Sequence, residues 1–163
     1  MESHEWRRER FRITTDPTQI DLEVVHAFLT SSYWAAGVTQ ERVARSIAGS
    51  IPFGLFEEDR QVGFARVISD LATFAWLADV FVLPESRGRG LGIWLVGTIL
   101  AHPDLRGLRR WSLATRDAHS LYGRFGFVRL GNPDRMMEYR PGDADAGGAA
   151  GRLTPAVDTV AAR

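Results

Sequence analysis

The sequence predicts an α+β or mixed α/β fold, in which helices pack on a β-sheet. Three observations lead to this prediction. The chain has 163 residues, of which 45% are apolar and 25% charged, as in one globular domain. Apolar residues recur at helical spacing in 20–29 but at strand-like spacing from 51 onward. A glycine-rich turn at 87–92 then joins a strand to a helix near the middle of the chain.

The elements follow from local patterns in chain order. The first part predicts a strand at 11–14 and two helices, at 20–29 and 39–47, that are separated by a break at 31–37. The later patterns predict strands at 51–57, 62–69, 73–83 and 111–115, helices at 93–101 and 117–125, and a last hairpin formed by 127–130 and 136–139.

The last part of the chain has a different composition. Residues 141–163 are rich in Gly, Ala and Asp and offer little apolar surface to bury. Such a segment cannot offset the entropy lost on ordering, which predicts a disordered tail. We therefore expect one domain over 11–140, followed by this tail.

Composition excludes several function classes. Twenty acidic residues balance twenty basic ones, so nothing favours nucleic-acid or membrane-surface binding. The absence of cysteine excludes disulfides, thiolate nucleophiles and cysteine-bound zinc. Every basic residue is arginine, which excludes the lysine of a P-loop. The four histidines lack metal-ligand spacing, so no metal is expected. No membrane span or signal segment is apparent, which predicts a cytoplasmic protein.

The glycine-rich turn is a candidate anion site. Gly88, Gly90 and Gly92 alternate directly before a helix, where backbone can approach a ligand closely and free N–H groups point outward. Arg87 and Arg89 add positive charge. A dinucleotide fingerprint would need glycine at position 93, which is Ile93. A plain turn before a helix remains the alternative.

Two segments together resemble a known family. Residues 80–92 have the sequence VFVLPESRGRGLG, and residues 121–127 have the sequence LYGRFGF. The first resembles the acetyl-CoA-binding segment of the GNAT N-acetyltransferases, with Arg87, Gly90 and Gly92 in matching positions. The second resembles that family's Leu-Tyr-x-x-x-Gly-Phe segment. Their order and spacing make the resemblance more specific than either segment alone, and the order of elements agrees from Phe11 to about Tyr139. The resemblance implies the family's fold, a central, mostly antiparallel sheet flanked by helices.

The resemblance implies a cofactor site and a reaction. It implies that acetyl-CoA is the co-substrate and that an amine attacks its thioester directly in a ternary complex. The pantetheine arm would pair with the backbone of Val80, Phe81 and Val82. The pyrophosphate would lie beside Arg87 on backbone N–H groups of Gly88, Arg89, Gly90, Leu91, Gly92 and Ile93.

Candidate catalytic residues follow from the same resemblance and from chemistry. Tyr122 would lie near the thioester sulfur and assist the departing thiolate. Asp79 is the one acid inside the apolar run 73–83, which makes it the candidate general base. His119 and an ordered water are the alternatives for the base.

The acceptor side is the least determined part of the site. Tyr33 and Trp34 lie between the first two helices, the segment that borders the acceptor pocket in the family, and Trp76 is expected on the strand face opposite Asp79. We expect a small-molecule primary amine as acceptor. A non-catalytic acetyl-CoA sensor, or an enzyme acting on a protein or aminoacyl-tRNA amine, are the alternatives, and a homodimer is left open.

Overall fold

The computed structural model describes residues 2–139. Its contacts divide the chain into two units, of which the first ends at Val128 and the second begins at Arg129. The first unit contains a six-stranded sheet in the sequential order β1-β2-β3-β4-β5-β6. The strands are β1 (Glu5–Arg8), β2 (Phe11–Thr14), β3 (Ile51–Glu57), β4 (Arg60–Ser69), β5 (Phe74–Val82) and β6 (Arg110–Ser112). The helices are α1 (Leu22–Ser31), α2 (Gln40–Ala48), α3 (Leu91–Leu100) and α4 (His119–Gly123).

The sheet confirms the predicted class. Neighbouring strands are antiparallel from β1 to β5, and only β5 and β6 are parallel. The edge strand β1 was not predicted from the sequence. Its residues Glu5, Trp6, Arg7 and Arg8 are mostly charged, and each pairs with a residue of β2 although none is buried.

Helices cover both faces of the sheet. Helix α3 packs Leu91, Leu95 and Ile99 into one core cluster, together with strand residues such as Phe53 and Val67. A second cluster joins α1 and α2 to Phe64 and Phe81 on the other face. Side chains at the helix starts satisfy free N–H groups, since Asp21 caps α1 and Thr39 caps α2.

A bulge in β5 determines where the side chains of this strand point. Phe64 pairs with Phe81, but Arg66 pairs with Ala78, so β5 has one extra residue in this interval. Asp79 lies there with a left-handed φ of 53°. Its side chain bonds to Arg66 and lines the same cavity as Trp76. The prediction that Trp76 and Asp79 face opposite sides is therefore wrong, because the bulge interrupts the two-residue alternation.

The parallel pairing of β5 with β6 is short. Strand β6 pairs only with Phe74, Ala75 and Trp76. Within residues 2–139, no strand pairs with this edge of β5 from Leu77 to Val82. Backbone N–H and C=O groups directed toward this edge are therefore not paired with another strand, although the Val82 carbonyl accepts a hydrogen bond from Arg87.

The predicted last hairpin is wrong within the residues that the structure describes. Neither 127–130 nor 136–139 forms a strand. Pro133 instead begins a 3-10 turn, Pro133–Arg135, and this turn replaces the tight connection that a hairpin needs. The predicted tail at 141–163 lies outside the described residues.

Candidate active site

A cavity of about 710 Å³ opens in the first unit, between β5 and the segment 114–122. Its lining includes every predicted site residue except Arg89 and Ile93. Residues that are far apart in the sequence therefore share one open cavity, from the glycine-rich turn to the aromatic residues after α1. The volume is in the range of small-molecule sites.

The glycine-rich turn forms one end of this cavity. Gly88 and Gly90 have left-handed φ values of 78° and 72°, and a Cβ added to either would meet no atom within 4 Å. Gly90 precedes α3, whose first turn has no side-chain cap. Arg87 is anchored because its Nε donates to the carbonyl of Val82, 2.9 Å away. The turn thus offers uncapped N–H groups beside open space, which suits a phosphate group.

Two predicted residues of the turn point elsewhere. Both terminal nitrogens of Arg89 bond to the Glu57 carboxylate, at 2.9 and 2.7 Å, and its guanidinium lies 4.9 Å from the centre of the Phe11 ring. The hydrogen bond from Arg89 lowers the pKa of Glu57. Ile93 is exposed and does not line the cavity. Arg89 and Ile93 can therefore bind a ligand in the cavity through their backbone N–H groups but not through their side chains.

Tyr122 projects from α4 into the cavity and is 8% exposed. Its ring packs edge-to-face on Phe127, with the centroids 5.9 Å apart. Burial, with smaller contributions from Tyr33 and Asp117, raises the pKa of the Tyr122 hydroxyl to about 12. That hydroxyl makes no hydrogen bond within the described part of the chain. It is therefore a neutral donor that is free to bind a ligand.

Asp79 is held by donors on both carboxylate oxygens. Trp34 Nε1 donates to Oδ1 at 3.1 Å, and Arg66 Nε donates to Oδ2 in an ion pair that is largely shielded from solvent. The alternative base His119 is exposed at the start of α4 and does not line the cavity. Of these two candidates, only Asp79 lines the cavity.

Aromatic residues form the other end of the cavity. The Tyr33 hydroxyl accepts a hydrogen bond from the backbone N–H of Arg116, and the Arg116 guanidinium lies 3.8 Å from the Tyr33 ring centre. Trp34 packs edge-to-face on Tyr33 at 4.9 Å. Phe28 stacks on Phe81 with centroids 3.9 Å apart. These contacts connect the loop after α1 to the loop before α4.

Sequence reasoning missed two lining residues, Phe28 and Arg66, and Arg116, which contacts Tyr33 outside the lining. Arg66 had a detectable signal, because it is the only charged residue in the apolar run 62–68. Phe28 follows the same helical pattern as the core residues of α1, and Arg116 lies in a loop. Neither stands out before the loops are placed.

Among residues 2–139, one group of possible metal ligands lies outside the cavity. His4, His102 and Asp104 have donor atoms within 4.8 Å of one another. However, Nδ1 of buried His102 accepts a hydrogen bond from the backbone N–H of Asp104 at 3.2 Å, which places the ring proton on Nε2 and leaves no lone pair there. This geometry is that of a hydrogen-bonded histidine, and the expectation of no metal stays a prediction.

Comparisons with known proteins support the family resemblance of residues 80–92 and 121–127. The family model described as an acetyltransferase (GNAT) domain matches residues 49–129. A Gibberella zeae protein assigned as an acetyltransferase is 32% identical over 87% of this chain and 88% of its own length. A solved structure from Xanthomonas campestris, assigned to the GNAT family, is 51% identical. The chain belongs to the GNAT family.

The structural match to this GNAT relative is extensive. The Xanthomonas campestris structure covers 81% of this chain and 94% of its own, with a TM-score of 0.78. A Clostridium acetobutylicum structure, assigned as an acetyltransferase and determined with acetyl-CoA, shares the fold at 11% identity and a TM-score of 0.57, covering 85% and 95%. The GNAT assignment makes the chain an acyltransferase, and GNAT enzymes use acetyl-CoA as donor. In residues 2–139, no helix has the length and apolar character to span a membrane.

Proposed function

We propose that this enzyme transfers the acetyl group of acetyl-CoA to a primary amine of a small molecule, by direct attack within a ternary complex. The observation that carries the proposal is the single cavity that joins three features. They are the uncapped start of α3, the unpaired edge of β5 from Leu77 to Val82, and the free hydroxyl of Tyr122.

The residues present fit a bound CoA. The unpaired edge of β5 can take an extended amide chain as an added strand, and the pantetheine arm is such a chain. Val80, Phe81 and Val82 would hold it there. The open space beside Gly88 and Gly90 gives a pyrophosphate close access to the N–H groups from Gly88 to Ile93. Acetyl-CoA supplies an acetyl thioester at the end of this arm.

In the proposed reaction, the amine nitrogen forms a C–N bond as the C–S bond breaks, giving an N-acetyl product and free CoA. Asp79, directly or through a water, accepts the proton that the amine must lose. Tyr122 donates a hydrogen bond to the departing thiolate. Because its pKa is about 12 and that of a thiol about 8.5, complete proton transfer from Tyr122 would cost about 5 kcal/mol. Tyr122 therefore acts as a hydrogen-bond donor, and solvent protonates the CoA thiolate.

The aromatic end of the cavity supports a small acceptor. Trp34, Trp76 and Phe28 provide apolar walls, and Tyr33 with Arg116 connects the two loops beside them. A cavity of about 710 Å³ has the size of a small-molecule site, which favours a compact acceptor.

A thiol-release assay tests the proposal. Purified enzyme, acetyl-CoA and a panel of small amines should release CoA and yield N-acetyl products identified by mass spectrometry. The panel should include amines with and without carboxylates, together with a peptide with a free N-terminus and an aminoacyl-tRNA as alternative acceptors. Acetylation of only the peptide or the tRNA would contradict the proposed small-molecule acceptor.

A further inference from the structure

Arg66 presents unused hydrogen-bond donors at the acceptor end of the cavity. It lies on β4 between the buried residues Ala65 and Val67, and its side chain is 18% exposed. Its Nε donates to Asp79. Within residues 2–139, its two terminal nitrogens donate no hydrogen bond, and neither is among the buried polar atoms sealed from solvent. Arg66 is one of the residues that line the cavity.

These unused donors favour an anionic partner. A guanidinium presents a planar fork that matches a carboxylate, and partial burial strengthens the interaction relative to water. The Asp79 carboxylate lies directly beside it, so a dianionic phosphate would meet repulsion that a single carboxylate largely avoids. The arginine–aspartate pair therefore complements a ligand that carries a negative and a positive group close together.

Aromatic side chains surround this charged pair. Trp34 donates its indole N–H to Asp79 and is 43% exposed, so its ring has free surface. Trp76 and Phe28 line the same cavity. A ligand bound to Arg66 and Asp79 would place its remaining atoms against these rings.

We infer that the acceptor is an α-amino acid with an apolar or aromatic side chain. Arg66 binds its carboxylate, and its amine lies beside Asp79, next to the Val80–Val82 segment assigned to the thioester arm. This inference rests on the proposed function, and it adds the charge and the class of the acceptor.

The test compares matched pairs of acceptors that differ only in the carboxylate. Phenylalanine is compared with phenethylamine and tryptophan with tryptamine, at saturating acetyl-CoA. An amine without the carboxylate would leave the terminal nitrogens of Arg66 unpaired in the complex. The value of kcat/KM should therefore be at least about 10²-fold higher for each amino acid than for its matching amine. Arg66→Met should abolish this preference, and Arg66→Lys should restore part of it. The control Arg45→Gln, at an exposed position of α2 outside the cavity, should retain it.

A binding measurement tests the inference without any variant. Calorimetry on the wild-type enzyme with CoA should show N-acetylphenylalanine binding at least about tenfold more tightly than its methyl ester. Equal use of amines and amino acids, or equal binding of acid and ester, would overturn the inference and leave the proposed function standing. If none of the small amines is acetylated, the proposed function itself fails and the inference fails with it.

Discussion

The indole Nε1 of Trp34 lies 3.1 Å from Oδ1 of Asp79, a hydrogen bond that links residues 45 positions apart. It connects the loop after α1 to the bulge of β5. Together with the ion pair to Arg66, it holds the carboxylate of a residue that lines the cavity. Asp79 can thus contribute both to proton transfer and to the shape of the acceptor site, and these two contributions can be separated by experiment.

Asp79→Asn tests proton transfer. Asparagine tolerates the left-handed backbone at this position, so the bulge should persist. We expect kcat at neutral pH to fall about 10²- to 10⁴-fold, because the general base is lost. The loss should shrink above the pKa of the acceptor amine, where the amine needs no base. A loss of equal size at every pH would show that Asp79 positions the acceptor and does not accept the proton.

Trp34→Phe is the matched control. The Asp79 carboxylate remains in this variant, so the KM for the acceptor should rise more than kcat falls.

Tyr122→Phe tests the hydrogen bond to the leaving group. The ring and its packing on Phe127 remain, so folding and acetyl-CoA affinity should be preserved. We expect kcat to fall by about 10² or somewhat more, because this hydrogen bond strengthens as charge develops on sulfur. Thioesters of more acidic thiols should show a smaller loss. A wild-type kcat in this variant would show that the Tyr122 hydroxyl does not assist the reaction and that the residue contributes only packing.

The raised pKa of Tyr122 can be measured directly. Ultraviolet absorbance of tyrosinate is followed against pH for the wild type and for Tyr122→Phe, and the difference isolates Tyr122. The difference curve should have its midpoint near pH 12, because burial disfavours the charged form. Consequently, the pH profile of kcat should show no Tyr122 ionisation below about pH 11. A midpoint near 10 would contradict the burial described here.

Gly90→Val tests the anion site. The new side chain would project into the open space assigned to the pyrophosphate. Both this variant and its control Gly107→Val introduce a side chain at a left-handed position, with φ of 72° and 75°, so each should lose at least about 1–2 kcal/mol of stability. Only Gly90→Val should weaken acetyl-CoA binding in calorimetry. Equal acetyl-CoA affinities for the two variants would show that the pyrophosphate does not bind beside Gly90.

Buried His102 should make stability depend on pH. Burial lowers the pKa of this imidazole below its usual 6.5, with a smaller contribution from His4. The unfolded chain therefore binds the proton first, so stability is fully present above pH 6.5 and declines as pH falls below it. In His102→Asn, which retains a side-chain acceptor for the Asp104 N–H, the decline in Tm between pH 6.5 and 5 should be smaller. Identical slopes would show that other groups cause the decline.

The sequence predicted most of the sheet because its strands follow clear local patterns. Strands β3, β4 and β5 alternate or run apolar between turn residues, and the glycine-rich turn before α3 has its own signal. Strand β1 was missed because the charged residues of Glu5–Arg8 give no local pattern, and it exists through pairing with β2. The hairpin predicted at 127–130 and 136–139 relied on local β propensity, which depends on a partner strand.

The candidate site could be predicted where backbone chemistry determines it. Gly88 and Gly90 signal close approach of a ligand, and the structure gives both the left-handed φ values that favour glycine. Side-chain directions were harder to predict. Asp79 lies at a bulge that no local sequence pattern indicates. Arg89 bonds to Glu57, which lies on β3 and is 32 residues away in the sequence. Such contacts depend on residues brought together only by folding.

The bulge at Asp79 also predicts how β5 responds to changes in length. Trp76 and Phe81 are five residues apart, so strict alternation would place them on opposite faces, and the bulge takes up the extra residue. Deleting Asp79 would therefore leave a regular ladder in which Phe81 and Val82 keep their present partners on β4. Such a deletion would remove the carboxylate that Trp34 and Arg66 bind, but not the pairing of the strand. An inserted residue would instead have to widen the bulge or shift Val80, Phe81 and Val82 to the opposite faces. This part of β5 should therefore keep its pairing after a single deletion more readily than after a single insertion.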